Sequence, residues 1–83
     1  MPNISDIYED EITAIRASIL TGADDMELKK LTRSHAWDIA EWRSNNYPDK
    51  WSSGSWNRAP DAVRQIAVNR AVREFNQSSA YRS

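Results

Sequence analysis

Cysteine is missing from the 83-residue sequence, histidine occurs once, glycine twice and proline three times. Without a thiol there is no disulfide framework, no thiolate zinc site and no cysteine nucleophile. A single imidazole leaves no histidine pair for a metal ion, and two glycines are too few for a phosphate-cradling loop. The G-x-S-x-G and H-E-x-x-H patterns are absent too. Apolar runs are short, so no segment reads as a membrane span, and the start Met1-Pro2-Asn3-Ile4 lacks the charge and apolar stretch of a signal peptide. The expectation is a cytoplasmic protein of a reducing compartment, with no membrane partner, cofactor or metal.

What is present describes a folded domain. Hydrophobic residues make up 40% of the chain and charged residues 28%, which suits a globular protein rather than a disordered tail. A chain this short buries only about 60 to 65% of the surface it exposes when unfolded, so one domain with a small core is expected. The net charge of −1 hides a gradient. Seven acids between Asp6 and Glu27 face Arg16 alone, whereas from Lys50 onward six basic residues outnumber Asp61 and Glu74. Either the two ends of the chain attract each other, or the basic end meets nucleic acid or an acidic partner.

Hydrophobic spacing predicts an all-α domain of three amphipathic helices over residues 4–21, 25–45 and 60–77. In the first, Ile4, Ile7, Tyr8, Ile12, Ile15 and Ile19 share a face, early acids suit the helix dipole, and Gly22 supplies a left-handed exit. Asp24-Asp25-Met26-Glu27 then reads as the cap of a second helix, whose Leu28, Leu31, His35, Ile39 and Trp42 should form the middle of the core. Trp37 falls nearly opposite Leu28 and is expected outside that face. In the third, Pro60 suits the first turn, and Val63, Ala67, Ala71 and Phe75 form a ridge whose alanines would let another helix come close. The tail 78–83 is polar and expected to fray, with Tyr81 as its one anchor.

The segment between the second and third helices, residues 46–59, is the least ordinary stretch. It is rich in turn residues, yet it carries Trp51 and Trp56. Two such rings either pack back as a lid on an undersized core or stand out as a binding surface. Trp, Tyr and Arg dominate binding hot spots because each buries a large area at small rotamer cost. Trp37, Tyr47, Trp51, Trp56 and Arg58, with Arg70 and Arg73 on the last helix, are therefore the candidate partner-binding residues. The rival reading is a helix-turn-helix-like nucleic-acid binder that uses Lys50, Arg64, Gln65, Asn69, Arg70 and Arg73 on phosphates and base edges. Against it stand the sequence pI of about 5.7 and the acidic first helix. No catalytic residue is assigned: His35 sits on an apolar stripe, where a core histidine with one satisfied nitrogen is the ordinary reading, and no nucleophile accompanies it. The reading that results is a small non-enzymatic module that binds another macromolecule, foremost a protein, and whose charge gradient permits a homodimer. Its size suits a regulator, an inhibitor or an accessory protein of a phage or plasmid.

Overall fold

The computed structural model describes residues 3–79, and every element within them is a helix. Five are present: α1 (Ile4–Ile7), α2 (Glu9–Asp25), α3 (Arg33–Asn46), α4 (Ser53–Arg58) and α5 (Asp61–Ser79). The all-α class therefore holds, while the three-helix plan does not. The expected fraying of 78–83 and the anchor at Tyr81 lie, from residue 80 onward, outside the described residues, and residues 78–79 are still helical. Among the described residues no helix is long and apolar enough to cross a membrane.

The first expected helix divides at Tyr8, whose φ of −110° and ψ of 26° interrupt the helical geometry. Asp6 closes the start of α1 by accepting from the Asn3 amide at 3.2 Å. Of the isoleucine stripe, Ile12, Ile15 and Ile19 are almost fully buried, but Ile4 and Ile7 are exposed. Gly22 does not end α2. It is buried, it has no positive φ, and the helix runs on to Asp25, where the Met26 amide donates to the Gly22 and Ala23 carbonyls. The left-handed residue that follows is Glu27, with φ 53°. Gly22 is there for space: a Cβ on it would stand 2.6 Å from Ile39 Cγ2 of α3.

Accordingly, Asp24 to Glu27 close α2 and do not cap the next helix. The cap of α3 is Thr32, whose Oγ1 accepts from the His35 amide at 3.1 Å. Between the two helices an extended crossover buries Leu31, and α5 holds it there. The Leu31 amide donates to Asn76 Oδ1 at 2.8 Å, and Asn76 Nδ2 donates to the Leu31 carbonyl at 3.0 Å. Both backbone groups of a half-buried segment are thus satisfied by one side chain.

The last helix matches the expected pattern closely. Val63, Ala67, Ala71 and Phe75 are buried with Val68, and Pro60 stands just ahead of the helix, its carbonyl accepting from the Val63 and Arg64 amides. α5 packs most extensively on α2. The buried faces of these two helices, joined by Leu31, Ala36, Ile39, Ala40, Trp56 and Ala59, make one apolar cluster. The charge gradient is answered around α2: Arg16 pairs with Glu74 and Arg70 with Glu9 at 3.4 Å across the seam with α5, and Arg58 of α4 with Glu11 at 3.9 Å. Such exposed pairs add little individually, but they fix which acids and bases face each other.

Candidate functional site

α3 turns one face to the core. Ala36, Ile39, Ala40, Arg43 and Ser44 are buried, and the bulky side chains flank them. Trp37, expected outside the core, is half-buried and meets Trp56 edge to face, with ring centroids 4.7 Å apart. Trp56 itself is 3% exposed, so α4 is a lid and this ring is its plug. Arg64 holds the lid from below: its Nε donates to the Trp56 carbonyl at 2.9 Å, and its guanidinium lies 4.6 Å from the Trp56 ring centroid.

Trp42 departs furthest from expectation. Assigned by its spacing to the core face, it is 55% exposed. Leu28 and His35 of the same stripe are only half-buried. His35 Nε2 is closed off from water and has no hydrogen-bond partner among the described residues.

Beside Trp42 runs a groove of about 470 Å³. One wall is the end of α2, with Gly22, Asp25 and Met26. The other is α3, with His35, Asp38, Ile39, Trp42 and Arg43. Met26 is 54% exposed at its mouth. The aromatic surface continues past the groove, because Trp42 meets the exposed Tyr47 edge to face at 5.5 Å. Met26, Trp42 and Tyr47 are thus three large apolar side chains left open to water.

The floor of this region is a buried arginine. Arg43 Nη1 donates to the Ser18 carbonyl at 3.0 Å, and Nη2 donates to Asp25 Oδ2 at 3.3 Å. Its guanidinium lies 3.7 Å from the centroid of the Trp51 ring. One cation therefore joins α2, α3 and the α3–α4 connection, and it holds Trp51 at 38% exposure. The connection is forced there: Trp51 and Ser52 both have positive φ, 58° and 61°. Two consecutive non-glycine residues in the left-handed region carry strain of about 1 to 2 kcal/mol each.

The structure thus brings Tyr47 and Trp51 to the open face beside the groove, while Trp37 and Trp56 turn inward. Arg58 and Arg70 are engaged with acids of α2, and Arg73 is exposed on α5 without an ion pair among the described residues. Of the residues put forward for nucleic acid, Arg64 is committed to Trp56, Asn69 is half-buried, and Lys50 and Gln65 are exposed. Sequence reasoning missed Met26, Trp42 and Arg43. The signal for Trp42 was the run Ala36, Ala40, Ser44 at four-residue spacing, which is buried and places Trp42 off to one side.

No protein-family model matches the chain, and no curated protein or solved structure shows significant similarity to it.

Proposed function

We propose that this protein is a small non-enzymatic binding module that captures another protein on the face formed by Met26, Trp42, Tyr47 and Trp51. The observation that carries this reading is the groove between α2 and α3, flanked by a tryptophan and a methionine that are both more than half exposed. Tryptophan is the commonest hot-spot side chain, and methionine adapts its shape to a partner. Arg43 and the strained Trp51-Ser52 pair hold the aromatic surface in place before a partner arrives, which lowers the entropy lost on docking. A module of this kind serves as a regulator, inhibitor or accessory subunit of a larger machine.

The test is affinity capture from extracts of the source cells, with wild-type protein and the double variant Met26→Ser, Trp42→Ala as parallel baits. Specific capture by the wild type, lost in a variant with unchanged helical circular dichroism, supports the reading. Capture that survives both substitutions removes this face from consideration.

A further inference from the structure

We infer that the edge where the crossover between α2 and α3 lies on α5 binds the phosphate backbone of a duplex nucleic acid through Lys29, Lys30, Arg33 and Arg73. This surface is separate from the groove and does not rest on the binding-module reading above.

The distribution of unpaired cations points there. Arg16, Arg43, Arg58, Arg64 and Arg70 each form an ion pair within the chain. Lys29, Lys30, Arg33, Lys50 and Arg73 are exposed and form none among the described residues. All of these except Lys50 lie along one edge, and Asn76 is what places them there, by bonding both the amide and the carbonyl of Leu31. Lys29 and Lys30 come just before Leu31, and Arg33 comes two residues after it. Arg73 stands three residues before Asn76, about 60° from it on the same flank of α5. Arg33 stands one turn before Trp37, on the flank of α3 turned toward the lid, and about 180° around the helix from Trp42. Acids are few here. The first turn of α3 has none, Glu74 is held by Arg16 and Asp25 by Arg43, and Asp24 is engaged as well, which leaves Glu27 at the start of the crossover.

The surroundings of these cations choose the partner. Leu31 is buried, and the exposed large apolar side chains all lie elsewhere, on α1 or on the face of Met26, Trp42, Tyr47 and Trp51. A protein interface is built around an apolar core, so an acidic protein segment finds no anchor at this edge. Membrane-surface helices likewise insert apolar residues beside their cations. A phosphodiester backbone needs cations alone, because binding is driven by the counterions it releases. No exposed ring stands at the edge for unpaired bases to stack on, which favours a duplex over a single strand.

The experiment is a titration of isotope-labelled protein with a DNA duplex of about two helical turns, followed by NMR amide shifts at about 50 mM salt, where backbone contacts are strong. The expected result is saturable shifts at Lys29, Lys30, Arg33 and Arg73. Four phosphate contacts give log K against log salt a slope of about −3.6. Arg33→Gln with Arg73→Gln should halve that slope and weaken binding at least about tenfold at low salt, whereas Lys50→Gln should change neither. These side chains are exposed and unpaired, so the variants retain the fold, which helical circular dichroism checks. Equal weakening by Lys50→Gln would be diffuse charge attraction and overturn the inference, as would shifts centred on Met26 and Trp42 or no shifts at all. Tighter binding of a single strand overturns the duplex. A poly-Glu peptide bound as tightly by the same residues assigns the edge to an acidic protein, and binding to phosphatidylserine vesicles in place of DNA assigns it to a membrane; either overturns the inference. Its failure leaves the binding module standing, because none of these substitutions touches Met26, Trp42, Tyr47 or Trp51.

Discussion

Among the helices that pack on α2, α5 and α3 meet it in different ways. Toward α5 it offers Ile12, Ile15 and Ile19 to a ridge with alanines at its centre, and the result is a dry apolar seam with ion pairs at its margins. Toward α3, near its C-terminal end, it offers Gly22 and the Ser18 carbonyl, and the contact is made by a buried arginine under a tryptophan. The first contact needs only shape and burial. The second carries a cation, left-handed backbone at Trp51 and Ser52, and an open groove at its edge. Local backbone rules are obeyed at the first contact and broken beside the second.

Substitutions separate the two contacts by the size of their effects. Phe75→Ala in the seam should cost about 3 to 5 kcal/mol, a large share of what a domain this small possesses. Urea unfolding followed by circular dichroism reads it, and a loss below about 1 kcal/mol would show that α5 is loosely seated. At the other contact, Arg43→Met removes charge-assisted hydrogen bonds and a cation–π contact while keeping most of the volume, for a net loss of about 2 kcal/mol. Trp51 should then become freely quenched by iodide; unchanged quenching would mean that the connection holds the ring without the arginine.

Gly22→Ala sets two effects against each other. Alanine favours the helix by about 1 kcal/mol, but its Cβ must displace Ile39 Cγ2 from 2.6 Å, at a cost of about 1 to 3 kcal/mol. A net destabilisation of about 1 kcal/mol is expected, and a gain in stability would mean that α3 can shift away from α2 freely. Trp42→Ala is the smallest perturbation of the fold, within about 0.5 kcal/mol, because most of the ring is in water already. A drop well beyond that would show that Trp42 supports the fold, against the binding role proposed for it. Iodide should quench Trp42 first, Trp51 next and Trp56 last in wild-type protein.

Period alone made the seam legible. Ile12, Ile15 and Ile19, and Val63, Ala67, Ala71 and Phe75, recur at helical spacing and are buried as that spacing requires. The groove was not legible, for three reasons tied to particular residues. Gly22 reads locally as a helix end, yet here it is a helix interior thinned for a neighbour. Asp24-Asp25-Met26-Glu27 has the composition of a cap, and the competing cap at Thr32 is equally good locally, so only the packing of Leu31 against Asn76 selects between them. Trp42 is the largest apolar side chain at a core-like spacing, but α3 buries Ala36, Ile39, Ala40 and Ser44 and leaves that ring outside.

The sequence by itself determined the helical class, the apolar ridges of α2 and α5, and the start of α5 after Pro60, because these depend on backbone preference and period within a single segment. Tertiary structure alone decided which tryptophans turn inward, how the acidic and basic ends pair, and that Arg43 lies beneath Trp51. Those outcomes depend on contacts between segments far apart in the chain, among them the close approach of α3 to α2 over Gly22, which sets Ile39 and Arg43 against that glycine.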